Sequence, residues 1–190
     1  MCAAVKEDFR VVCLGGSAGG LQAYTDTLRP MPSDTGMAFV IAPHRSSEKS
    51  SLLLDILARV TTMPVIEVQD GMLLEPNRVY LMPPHMEMTV ENNEFVLQPQ
   101  RKLRGWPTTI SVFLLSLAEA YRHRAIAVIF SGVGCDGSSA LKAIKAAGGL
   151  TFAQSDAVFD DMPRHADETG HVDFILSPAE IAKALVELTA

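Results

Sequence analysis

Three short runs are nearly continuous in apolar residues, and each breaks at glycine or proline. They are RVVCLG at residues 10–15, MAFVIAP at 37–43 and IAVIFSG at 126–132. A strand with one wet face alternates apolar and polar residues. A run apolar at nearly every position is buried on both faces, which in a soluble chain points to a parallel sheet covered by helices on each side.

The intervening segments have the pattern that such a sheet requires. VYLMP (79–83), LTFAQ (150–154) and VDFIL (172–176) read as further strands. A helix is expected from Ser17 to Leu28, stopped by Pro30 and Pro32. A second follows a cap at Ser46 or Ser47 and carries Leu52, Leu53, Ile56, Leu57 and Val60 on one face. TTISVFLLSLAEAY (108–121) is apolar all round and is expected to pack deeply. SSALKAIKAAGG (138–149) has serines to start it and glycines to end it. Ser177 and Pro178 take the N-cap and N1 places of a last helix.

Residues 65–98 break the alternation with short strand-like runs and turns at Asp70-Gly71 and Asn92-Asn93. The expected class is α/β, a doubly wound, mostly parallel sheet with helices on both faces and an antiparallel extension. With 190 residues, one domain over 1–190 accounts for the chain.

A net charge of −6 argues against a nucleic-acid binder. The basic runs RKLR (101–104) and RHR (122–124) read as solvated surface. Cys2, Cys13 and Cys135 are odd in number and too scattered for a metal-ligand or redox spacing. No leader pattern or long apolar run is visible. A reduced, soluble, cytoplasmic protein with no membrane insertion is the expectation.

Chemistry concentrates in the corner VVCLGGSAGG at residues 11–20. No lysine follows for a phosphate-binding P-loop, and the G-x-G-x-x-G spacing is absent. Gly15-x-Ser17-x-Gly19 instead has the G-x-S-x-G form of a serine exposed at a strand-to-helix turn. In a parallel sheet, functional groups converge at the carboxyl ends of strands. Ser17 follows the first run, His44 the second and Asp136 the third. A hydroxyl, an imidazole and a carboxylate at one edge are what a nucleophilic triad needs. The order Ser, acid, His would nominate His165 or His171 with Asp160 or Asp161 instead, but neither histidine ends a buried strand. His85 follows a strand-like run and is the stronger rival, while His123 reads as surface.

With GGSAGG, APHRS and SGVGCDG in hand, together with DGMLLEPNRVYLMPP, FLLSLAEA and MPR, the chain resembles the catalytic domain of chemotaxis protein-glutamate methylesterases (CheB) over about residues 10–187. It looks closest to forms fused to a chemotaxis methyltransferase. The resemblance implies hydrolysis of γ-glutamyl methyl esters on chemoreceptor helices, with methanol released, and deamidation of receptor glutamines. It implies Ser17 as nucleophile, His44 as base, Asp136 as orienting carboxylate, and no metal or organic cofactor. Backbone donors to the oxyanion are expected at Val133 and Ala18. Arg101, Arg104 and Met162 are candidates for binding substrate, with Lys102 joining the two arginines in steering an acidic partner. Methyl-accepting receptors are the implied partners, with a methyltransferase or a receiver domain beside them.

The pattern departs from relatives at Pro43, where glutamine is usual, at Ser111 and Leu115, where aspartate and arginine are usual, and at Asp161, where glycine is common. The usual N-terminal receiver domain is not expected within this chain. Two other readings share these residues: a non-catalytic module that docks on receptor or partner helices, and an esterase for another substrate.

Overall fold

The computed structural model describes residues 9–44, 50–100 and 108–188. Seven strands form one parallel sheet: β1 (Arg10–Gly16), β2 (Met37–Pro43), β3 (Val65–Glu67), β4 (Arg78–Leu81), β7 (Ala125–Ile129), β8 (Leu150–Gln154) and β9 (Phe174–Leu176). Their spatial order is β3-β4-β2-β1-β7-β8-β9. The remaining strands, β5 (Met86–Glu91) and β6 (Glu94–Pro99), make a separate antiparallel pair.

The three apolar runs form the centre of the sheet, and their residues divide strictly between its faces. Val11 and Cys13 of β1 join the core under one face, with Val12 and Leu14 under the other. Helices α1 (Gly20–Leu28), α2 (Ser50–Val60) and α6 (Pro178–Glu187) cover the second face through Tyr24, Leu28, Leu57, Ile181 and Leu185. On the first face lie α3 (Thr109–Tyr121), α4 (Leu141–Ala146) and α5 (Asp161–Glu168), with Phe113, Leu117, Ile144 and Ala166 buried. Strand positions under this first face are often small, among them Cys13, Ala38, Ala42, Ala125 and Ala127. Small side chains let a helix seat closely on a sheet, which suits the all-round apolar α3.

The antiparallel part differs from the sequence expectation in place. Val65–Glu67 pairs parallel to β4, with Val65 opposite Val79, so it extends the main sheet at its edge. The Asp70-Gly71 turn therefore does not reverse a strand pair there. Asn92 and Asn93, both with positive φ, close the β5–β6 hairpin. That hairpin is not hydrogen-bonded to the sheet: it places Met88, Val90 and Phe95 in the core shared with α3. Helix α5 was not expected from the sequence, because DMPRHADE buries only Met162, Pro163 and Ala166. The cap proposed at Ser46 or Ser47 lies outside the described residues.

β2 lies on one side of β1 and β7 on the other, so the strand order reverses direction at β1. A crevice at the carboxyl ends of β1 and β7 is the usual binding place of such a sheet.

Candidate functional site

β1 ends at Gly16 and α1 begins at Gly20, leaving Ser17, Ala18 and Gly19 to turn the chain. Gly19 adopts φ +78°, a left-handed conformation that costs glycine nothing. The Ser17 N–H donates to the Ser131 carbonyl at 2.9 Å, and its own carbonyl accepts from Gly20 N–H at 2.9 Å. Ser131, two residues beyond β7, ties the corner further. Its hydroxyl donates to the Ala18 carbonyl at 2.8 Å and accepts from Phe159 N–H at 3.0 Å. Ser131 N–H is in turn held by Gln154 Oε1 at 2.9 Å. The ends of β1, β7 and β8 are thereby locked to one another.

His44 immediately follows β2 and is 3% exposed. Its N–H donates to the Gly16 carbonyl at 2.8 Å, continuing the β1–β2 ladder one step past Pro43. The histidine is therefore fixed beside the residue that precedes Ser17. Its ring reaches toward the corner after β7: a Cβ on Gly134 would lie 4.0 Å from His44 Cε1. In the same corner, a Cβ on Gly132 would fall 2.9 Å from Ser17 Cβ and 2.1 Å from Met162 Sδ. Only glycine permits that approach.

Asp136 is 5% exposed and sits against the start of α3. Oδ2 accepts from Ile110 N–H at 2.9 Å, while Oδ1 accepts from Ser111 N–H at 3.0 Å and Ser111 Oγ–H at 2.8 Å. Thr108 makes no side-chain cap, so Asp136 caps this helix from another segment. The helix N-terminus favours its negative charge. Cys13 lies near enough to respond: burial, and then the Asp136 charge, push its thiol well above the ordinary range. Burial likewise raises Tyr24, whose hydroxyl packs under Gly16.

The rival histidines separate clearly. His171 accepts a 2.7 Å hydrogen bond from Thr151 Oγ1 at its carbonyl, which places it at the opposite end of β8 from Ser131. His85 and His123 are exposed, the first at a left-handed bend between β4 and β5. His165 is closer to the site than its sequence position implied. Its Nδ1 lies 2.7 Å from the Asp161 carbonyl and 3.1 Å from that of Gly134. Two carbonyl partners require that nitrogen to be the donor. His165 thus pins the Gly134 corner from α5. The carboxylates once paired with it are on the surface: Asp160 is exposed, and Asp161 pairs with Arg164 at 3.3 Å.

Val133 is 40% exposed between Gly132 and Gly134, and Ala18 is partly buried. Met162 has no exposure, and its N–H donates to the Gly132 carbonyl at 3.0 Å. Met162 is accordingly a packing residue behind the corner rather than an open substrate contact. Arg101, Lys102 and Arg104 lie outside the described residues. Among the described residues, no group of three or more His, Cys, Asp or Glu could hold a metal ion, and no helix is long and apolar enough to cross a membrane.

A family model described as CheB methylesterase matches residues 12–185, a span containing every corner above. The chain belongs to the CheB methylesterase family. The crystal structure of the Thermotoga maritima CheB methylesterase catalytic domain superposes with a TM-score of 0.86 at 27% identity, covering 95% of this chain and 98% of that one. A protein-glutamate methylesterase/protein-glutamine glutaminase of Paramagnetospirillum magneticum is 32% identical over 187 residues, 96% of this chain and 52% of that protein. A putative protein of the same description from Leptospira interrogans is 28% identical and covered over 95% of its length. An uncharacterized 104.1 kDa protein of Rhodobacter capsulatus is 42% identical over 127 residues, which is 13% of its length. The chain thus spans about half of the Paramagnetospirillum relative and 13% of the Rhodobacter one, but nearly all of the Leptospira protein.

Two departures from the CheB methylesterase pattern acquire a physical role. Pro43 lacks an N–H, yet it stands opposite Gly16, and the next residue, His44, supplies the N–H that extends the pairing. Ser111 is 7% exposed and is committed to Asp136, and its Oγ also accepts from Gly137 N–H at 2.8 Å. Leu115, one turn farther along α3, is 50% exposed in a groove against β5. The support for Asp136 by Ser111 is what sequence reasoning missed.

Proposed function

We propose that this chain is a cytoplasmic serine esterase that removes γ-glutamyl methyl esters from chemoreceptor signalling helices, with Ser17, His44 and Asp136 as its triad. The observation that carries the reading is the tie of three adjacent strand ends. His44 bonds to Gly16, Ser17 bonds to Ser131, and Asp136 follows the Gly132–Gly134 corner that lies beside Ser17 and faces the His44 ring.

His44 takes the Ser17 hydroxyl proton as Oγ adds to the ester carbonyl carbon. The C–O bond to the methoxy group then breaks, and that oxygen leaves as methanol with the proton from His44. Water, deprotonated by the same imidazole, cleaves the glutamyl-enzyme and restores Ser17. With a glutamine substrate the departing group is ammonia, and the product is the same glutamate. Asp136 has three donors on about four acceptor positions, so Oδ2 keeps one with which to orient the imidazole.

The amides of Ser17 and Gly132 are engaged by the carbonyls of Ser131 and Phe159. The Ala18 and Val133 amides are therefore our candidates for holding the oxyanion, where one donor contributes about 3–4 kcal/mol. Methyl-accepting receptors are the proposed partners. A methyltransferase or receiver domain is a further proposal that the lengths of the relatives leave room for.

The test is a fluorophosphonate serine probe with mass-spectrometric mapping, paired with methanol release from a methylated receptor. Labelling at Ser17, lost in Ser17→Ala and His44→Ala together with methanol release, is the expected result. A folded protein that neither labels nor releases methanol would make it a docking module. Labelling and small-ester turnover without methanol release would make it an esterase for another substrate.

A further inference from the structure

We propose that Val133, Val158 and Phe159 form an apolar shelf beside Ser17 that seats the substrate protein's helix, selecting esters whose neighbours one helical turn away are apolar. The proposal rests on Ser17 being the nucleophile.

These three side chains are 40%, 82% and 45% exposed, in a chain whose large apolar residues are mostly interior. They belong to the two segments that adjoin the serine corner. Val133 joins Gly132, where a Cβ would fall 2.9 Å from Ser17 Cβ, to Gly134, where a Cβ would fall 4.0 Å from His44 Cε1. The Phe159 ring lies beside the serine corner: a Cβ on Gly19 would be 3.4 Å from Phe159 Cδ2. Val158 immediately precedes Phe159 and is the most exposed of the three.

The shelf has a fixed base. Phe159 N–H is bound by Ser131 Oγ at 3.0 Å, and its carbonyl accepts from Gly132 N–H at 2.9 Å. Apolar side chains on a pre-ordered backbone bind without the ordering cost that a loose loop would incur.

The chemistry of the substrate explains why the shelf is at this place. The ester carbon of a methylated glutamate is separated from its Cα by only two methylenes. A helix delivering it to Ser17 must bring its backbone down to the rim of the site. Residues three and four positions away have Cβ atoms about 5–6 Å from that of the glutamate, on the same face. They land on whatever surrounds the serine, and here the exposed apolar residues of the adjoining segments are Val133, Val158 and Phe159. Apolar neighbours gain burial on this shelf, whereas polar ones lose hydration without a partner.

The experiment uses two synthetic helical peptides, each with one γ-methyl glutamate, carrying leucine or serine three and four residues away, and 4-nitrophenyl acetate as a small ester. Wild type is expected to prefer the leucine peptide at least tenfold in kcat/KM. Val158→Asp, at an open surface position, and Phe159→Ala should erase most of that preference through KM. The ratio of leucine-peptide to small-ester turnover falls with it.

Equal use of both peptides by wild type, or an unchanged preference in both variants, would overturn the shelf. So would a wild-type dimer, seen by sedimentation, that Val158→Asp dissolves with peptide preference intact. If wild type hydrolyses the small ester and releases methanol from a methylated receptor but cleaves neither peptide, the shelf alone fails. If small-ester turnover survives Ser17→Ala, the assignment of the nucleophile fails instead.

Discussion

Ser111 gives both its N–H and its hydroxyl to a single oxygen of Asp136, at 3.0 and 2.8 Å. The same Oγ accepts from Gly137 N–H at 2.8 Å, so one side chain fastens the carboxylate and the backbone beside it. Asp136 thereby caps α3 and is held rigid by it. A carboxylate that is to orient an imidazole must itself be immobile.

Ser111→Ala removes two of these bonds in a buried place. A stability loss of about 1–3 kcal/mol is expected, or about 2–4 °C in Tm per kcal/mol. Turnover of a methylated receptor should drop about tenfold in kcat, with KM nearly constant, because the group disturbed acts after binding. Ser111→Thr, which keeps the hydroxyl, should recover most of both. Thermal melts and initial rates on the three proteins check this.

Asp173 links the opposite end of the sheet. It pairs with Lys145 and accepts from Thr151 N–H at 3.0 Å and Thr151 Oγ1 at 2.9 Å. Burial by itself raises its pKa, but the Lys145 and Thr151 hydrogen bonds and the Lys145 charge outweigh it and bring the pKa below the usual carboxylate value. A carboxylate depressed in the folded state contributes stability that is present above its unfolded value and lost as pH falls through the folded one. Wild type should therefore lose this contribution progressively below about pH 4. Asp173→Asn should be less stable at neutral pH, and the difference should shrink on acidification. Melting curves from pH 7 to about pH 2 are the measurement, and parallel curves would refute the assignment.

What was legible in the sequence was whatever a strand writes as an unbroken apolar run. β1, β2 and β7 are legible that way, and the candidates Ser17, His44 and Asp136 follow their carboxyl ends. Polar elements were harder to see. α5 buries three side chains, so its period was too faint to find, and with it went His165 as the pin on Gly134. Ser111 shows in the sequence only as a departure from the usual aspartate, because its partner is 25 residues away, a separation that no local pattern encodes. The short strand β3 was misplaced because a turn signal says where the chain bends and not what it pairs with afterwards.

The two described cysteines should differ sharply in reactivity. Cys13 is fully buried in β1, and burial together with the Asp136 charge keeps its thiol neutral well beyond physiological pH. Cys135, its counterpart beside Asp136, is exposed. Because the thiolate is the reacting form, iodoacetamide should alkylate Cys135 in the native protein and leave Cys13 untouched until unfolding. Peptide mapping by mass spectrometry reads both sites. Native-state alkylation of Cys13 at a comparable rate would mean that β1 opens far more readily than its burial allows.

Gly132 is the tightest point of the site, and its substitution separates packing from catalysis. A Cβ there would meet Met162 Sδ at 2.1 Å, Ser17 Cβ at 2.9 Å and Ser17 N at 3.0 Å. Gly132→Ala should cost about 1–3 kcal/mol through overpacking and reduce esterase turnover at least tenfold. Met162→Ala alone leaves a cavity and should cost about 2–5 kcal/mol. In the double variant the new methyl group occupies part of that cavity, so the two losses should add to less than their sum. Turnover should nevertheless stay low, because the contact with Ser17 persists after the methionine is gone. Recovery of activity in the double variant would show that Gly132 makes room for Met162 alone and has no part in setting the position of the serine.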